Sequence, residues 1–180
     1  MSQGLLGSRL GIQPPVKHRV FISYHHGGDQ QYYDAFSSTF SDRYEVIYDH
    51  SLERRVDSEN TEYVIRRIRE NYIHGSSCTI VLVGAETWGR KYVDWEIKAT
   101  LAATHGLIGV QLPTARRDPY NGTVIVPDRL ADNIHSCFAL WLDWSEITAS
   151  AAHLDYYVTE SKSRRTALIN NTRDRRFRNA

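Results

Sequence analysis

The chain has 180 residues, 41% hydrophobic, 24% charged and 11% aromatic, which suits one folded domain and excludes wholesale disorder, collagen and low-complexity classes. No apolar run approaches the ~18 residues of a membrane helix, and the N-terminal stretch lacks the continuous apolar block of a signal peptide. Two cysteines, Cys78 and Cys137, make neither a disulfide framework nor a zinc motif, so a reduced, cytoplasmic protein is expected.

Residues 1–17, with Pro14-Pro15, read as an irregular leader. His18–Tyr24 (HRVFISY) predicts a buried first strand that runs into the loop His25–Asp29. Tyr32, Tyr33, Phe36 and Phe40 then recur at helical spacing, predicting a helix over Gln30–Phe40. Tyr44–Tyr48 is a second strand. Ser58 is a candidate cap for the next helix, whose buried stripe is Val64, Ile65, Ile68 and Tyr72 and whose end is Gly75. The continuous apolar run Cys78–Gly84 is the pattern of a central parallel strand covered on both faces. A helix over Lys91–Thr104, a strand over Leu107–Leu112 and a polar loop through Asn121-Gly122 follow. A fifth strand, Ala139–Trp144, and a last helix, Ser150–Ser163, complete a domain spanning 18–161.

Beyond it, residues 162–180 carry seven bases against one acid, Asp174. That tail is +6 and the remaining chain −5, within a total of +1. A solvated terminus is the plain reading. The alternatives are a contact with nucleic acid or membrane, or a dock on the acidic body of another protomer.

Strands alternating with helices of this length predict a parallel sheet with right-handed crossovers. Five strands fit an α/β, flavodoxin-like doubly wound sheet of mainly parallel strands with flanking helices. Ligands of such sheets sit beyond the carboxyl ends of the strands. That rule selects the loops after Tyr24, Tyr48 and Gly84.

The first loop holds neither G-x-G-x-x-G nor a P-loop, although Gly27 and Gly28 would let backbone amides approach a phosphate. His25 and His26 have no Cys or carboxylate pair at ligand spacing, so they read as loop histidines and no metal is expected. In the second loop, Asp49 and Ser51 are either the rim of a site or ordinary turn residues. On the third helix Glu96 borders the stripe Val93, Ile97, Thr100 and Leu101, and its i±4 neighbours, Tyr92 and Thr100, are not basic. This weakens its reading as a surface ion-pair partner without excluding it.

The segments Val20–Tyr24, Tyr48–Leu52 and Ile80–Gly84, with Thr87 and Arg90–Ile97, together resemble the TIR-like domains of Thoeris antiphage-defence proteins and, more broadly, the Toll/interleukin-1 receptor superfamily. The resemblance covers about residues 18–145. It implies an enzyme that cleaves NAD+ as substrate, with no resident cofactor and with Glu96 as the catalytic carboxylate. It implies a nucleotide-binding set of Phe21, Ser23, Tyr24, His25, Asp49, Ser51, Gly84, Trp88 and Tyr92. It also implies an effector protein that senses the product, and self-association; separately, no membrane partner is expected and nucleic-acid binding ranks last among the readings. Leader and tail have no counterpart in the family. Many TIR domains are noncatalytic, so an interaction module is the competing function.

Overall fold

The computed structural model describes residues 18–48 and 61–180. The apolar runs become the strands β1 (His18–Ser23), β2 (Tyr44–Ile47), β3 (Cys78–Val83), β4 (Gly106–Gln111) and β5 (Leu140–Asp143). All pair in parallel in the order β2-β1-β3-β4-β5, the flavodoxin-like arrangement. β3 is central and buried at all six positions, so both of its faces must be apolar.

Side-chain alternation sorts the core into two layers. On one face Val20, Ile22, Ile80, Leu82, Ile108 and Val110 meet α1 (His26–Phe40), α5 (Trp144–Ile147) and α6 (Ala151–Ser163) through Phe36, Phe40, Ile147, Leu154 and Val158. On the other, Val81, Val83 and Leu107 pack against Val93, Ile97 and Leu101 of α3 (Lys91–Ala102), with Leu130 of α4 (Asp128–His135) beside them. Phe21 meets Val64, Ile65 and Ile68 of α2 (Thr61–Ile68), and Trp95 and Ala99 of α3.

Three local expectations need correction. The expected loop His25–Asp29 is instead the start of α1. The Asp29 N–H donates to the His25 carbonyl at 2.9 Å, and the His25 ring lies where a Cβ on Gly27 would come within 2.9 Å of it. Glycine at 27 leaves that ring its place over the first turn. The segment after α2 winds as a π-turn over Arg69–Ile73, which buries Ile73 and closes with His74 N–H donating to the Arg69 carbonyl at 2.8 Å. Finally, α4 lies inside the expected polar loop. Its buried side is Arg129, Leu130 and Asn133 with Ile134 packed beside them, and in so short a helix the Leu130–Ile134 pair is the whole apolar signal.

The basic tail is not a solvated terminus. Leu168 and Ile169 pack on the core layer beside α4, and Asn133 both donates to the Asn170 carbonyl (2.7 Å) and accepts from its N–H (3.0 Å). Arg173 forks onto both oxygens of Asp132 at 2.7 and 2.9 Å, and Arg176 reaches Asp128 at 3.2 Å. The acidic partner expected on another protomer is supplied in cis by α4. Leader residues 1–17 and the segment 49–60, with Asp49, Ser51 and Ser58, lie outside the described residues.

Candidate functional site

α3 descends from the carboxyl end of the sheet, and one polar contact fixes its height. The hydroxyls of Thr100 and Thr79 on β3 are 2.7 Å apart, and Thr100 also donates to the Glu96 carbonyl at 2.9 Å. Having one proton, Thr100 accepts from Thr79. Glu96 stands one turn higher, about 6 Å along the helix axis. Two strand residues climb about 6.6 Å, from Thr79 to Val81. Val81 pairs in register with Ser23 of β1. Glu96 therefore lies at the level of Ser23, between the α3 side chains that pack on Phe21 and those that pack on Val81 and Val83.

Both groups are removed from water. Glu96 is 6% exposed and Ser23 1%, and the Ser23 hydroxyl finds no hydrogen-bond partner among the described residues. A buried hydroxyl without a partner costs free energy, and a ligand hydroxyl would relieve it. Tyr92 is half-buried beside this face, edge-on to Trp95 at 5.5 Å, with the Lys91 ammonium 4.9 Å from its ring. Phe21, Ser23, Tyr92 and Glu96 thus share the α3 side of the sheet.

Alternation sends Tyr24 to the opposite side. It stacks on Tyr33 at 5.0 Å with planes 6° apart, and the rings of His26 and Tyr48 flank it at 4.2 and 6.0 Å. His25 lies at the mouth of the β1 loop, its Nε2 3.0 Å from Arg90 Nη2 and 3.3 Å from the Glu86 carboxylate, and Arg90 pairs with that same carboxylate. Trp88 goes elsewhere. Half-buried beneath the Arg116 guanidinium, it lines a cavity of about 400 Å³ with Arg90, Asp94, Asp128, Arg173 and Arg176, on the α4 side of α3.

The residue that sequence reasoning passed over is Asp29. It is 2% exposed in the first turn of α1, where an Asp beside two glycines reads as a loop. Thr87 donates to one of its oxygens at 3.1 Å and Thr114 to the other at 3.4 Å, while Thr87 itself accepts from the Gly84 N–H at 2.9 Å. Gly84 is obligatory in this knot, because a Cβ there would lie 2.0 Å from Asp29 Oδ1. The knot ties the loops after β3 and β4 to the start of α1, across the ends of the central strands.

Burial pushes the Asp29 carboxyl above its ordinary 3.8, against the smaller downward pull of Thr87, the His25 charge and Thr114. An acid whose folded pKa is raised favours folding fully below its unfolded value and loses that contribution as pH climbs through the folded one. Asp29→Asn should therefore match the parent in stability near pH 3.5 and gain on it toward pH 7, an expectation that urea unfolding across this range will check. A gap that stays constant would mean that Asp29 ionises as readily in the fold as in the open chain.

Among the described residues no group of three or more His, Cys, Asp or Glu side chains is placed to hold a metal, and no helix is long and apolar enough to cross a membrane. A five-stranded doubly wound sheet, with a buried carboxylate and a buried hydroxyl at one level beneath its carboxyl edge, defines an α/β domain of the TIR-like kind. Residues 21–117, just over half the chain, match the family described as Thoeris protein ThsB, TIR-like domain, and the chain belongs to that family. Membership connects it to antiphage defence, and TIR-like chemistry on NAD+ is compatible with it. Comparison with curated proteins finds no match.

Proposed function

We propose that this chain is an NAD+ glycohydrolase or ADP-ribosyl cyclase that makes an ADP-ribose-derived messenger for a separate effector in bacterial antiphage defence. The observation that carries this reading is the buried Glu96 carboxylate on the same side of the sheet as the buried Ser23 hydroxyl, which has no hydrogen-bond partner among the described residues. Such a pair suits the cleavage of a nicotinamide riboside. The C1′–N bond breaks with its electron pair going to the nicotinamide nitrogen, which leaves as a neutral molecule, so no general acid is required. The ribose becomes oxocarbenium-like, and an anion beside C1′ and the ribose hydroxyls stabilises it. The Ser23 hydroxyl is suited to hold a ribose hydroxyl, and the apolar wall of Phe21 and Tyr92 to limit water. Water adding to C1′ and losing a proton gives ADP-ribose. A nucleophile from within the same nucleotide gives a cyclic isomer.

The test is direct. Purified protein incubated with NAD+, with and without lysate from phage-infected cells, should release nicotinamide in at least one condition, and mass spectrometry of the co-product separates hydrolysis from cyclisation. Absence of release in both conditions, with no NAD+ binding by calorimetry, overturns the reading in favour of a noncatalytic interaction module.

A further inference from the structure

The helix that carries Glu96 lacks a cap of its own. Arg90, the residue before α3, makes no capping hydrogen bond with its side chain. The missing partners come from the far end of the chain. Asn179 Oδ1 accepts from the Lys91 N–H at 2.9 Å, and the Ala180 N–H donates to the Gly89 carbonyl at 3.0 Å. One turn into the helix, the Arg176 peptide is used from both sides. Its N–H donates to Asp94 Oδ2 at 2.9 Å, and its carbonyl accepts from the Trp95 indole at 2.9 Å. Lower still, the Asn171 amide donates to the Lys98 carbonyl at 3.2 Å. The segment thus runs antiparallel to α3 along most of its length, gripping it at the top, middle and bottom.

The middle grip has the most leverage. Asp94 and Trp95 immediately precede Glu96, and Trp95 packs on Phe21 of β1 with its indole N–H turned to the segment. Rolling α3 by a fraction of a turn would move Glu96 relative to Ser23, and it would break one or both Arg176 contacts. Main-chain groups make that grip, so it survives changes of the Arg176 side chain and fails when its N–H is removed.

We propose that residues 170–180 are a positioning strap, in which Asn179 caps α3 and the Arg176 peptide fixes its roll, so that the Glu96 carboxylate is held in register with Ser23. The catalytic consequence rests on the NAD+-cleaving reading, whereas the mechanical role does not. Deleting the segment also strips Arg129 of Asn171 and Asp174, so point variants carry the test.

Asn179→Ala should speed hydrogen exchange at the Lys91 amide about fivefold, the usual worth of an N-cap. It should lower kcat for nicotinamide release about threefold or more, with KM held within about twofold, because orientation and not substrate contact is lost. Asn179→Asp, an equally good cap, should restore both, and Arg176→Pro should act on the amides of Asp94–Ile97 and on kcat in the same direction. Unchanged exchange in both Asn179→Ala and Arg176→Pro overturns the strap. Faster exchange with an unchanged kcat overturns its positioning role. If the unaltered protein releases no nicotinamide, the NAD+ reading falls, and exchange at α3 still decides whether the strap holds the helix.

Discussion

Glu96→Gln should lower nicotinamide release by about two orders of magnitude or more while leaving KM within about threefold, as expected when one electrostatic stabiliser of a developing cation is removed. Gln keeps the volume and much of the hydrogen-bonding capacity, so substrate binding and folding should persist. This combination separates chemistry from structure. A variant that keeps near-parental turnover removes Glu96 from the mechanism, and one that loses turnover only by unfolding gives the carboxylate a structural role instead.

The largest effect on stability should come from Arg129. It is fully buried, with Nε 2.8 Å from Asp94 Oδ1 and Nη2 3.4 Å from Oδ2, and its remaining donors reach Asn171 at 2.8 Å and the Asp174 carbonyl at 3.1 Å. Its planar fork joins α4, α3 and the C-terminal strap, which no other side chain type would do at this geometry. Arg129→Met fills much of the volume but leaves the Asp94 carboxylate buried without a counter-charge, a loss of about 3–5 kcal/mol. Adding Asp94→Asn should recover part of that loss, because the orphaned charge is the main source of the cost. Urea unfolding of the two single variants and the double variant gives the coupling. A single Arg129→Met variant within about 1 kcal/mol of the parent would mean that the pair is replaceable by packing alone.

Much of this architecture was legible in the sequence, for identifiable reasons. Cys78–Val83 and His18–Ser23 are apolar runs flanked by turn residues, and Val93, Ile97 and Leu101 repeat at helical spacing, so the central strands and the helix under the site follow from burial periodicity. Glu96 stood out because a carboxylate bordered that stripe with no basic neighbour one turn away. Its height beside Ser23, in contrast, depends on the Thr79–Thr100 contact between residues 21 positions apart. Asp29 was illegible because its burial depends on a bare Cα at position 84 and on hydroxyls from two other loops. The strap was illegible for a related reason, and α4 offered only the apolar pair Leu130 and Ile134 one turn apart. Asn133, Asn171 and Asn179 hold the strap through main-chain groups, and amide side chains meeting peptide groups leave no hydrophobic period to read. Charge balance marked the tail as unusual, and only the fold could identify Asp128 and Asp132 of the same chain as its partners.

The knot between Asp29 and Gly84 also bears on how this domain can diverge. A methyl group at position 84 and a carboxylate at position 29 claim the same space, with 2.0 Å between the would-be Cβ and the oxygen. Position 84 cannot gain a side chain while Asp29 stands. A lineage that gains any side chain at 84 must first shrink residue 29 to something like Ser or Ala, and that step leaves the Thr87 and Thr114 hydroxyls to find water or each other. Substitutions at these two sites, 55 positions apart in the chain, are therefore coupled through one shared volume at the carboxyl edge of the sheet.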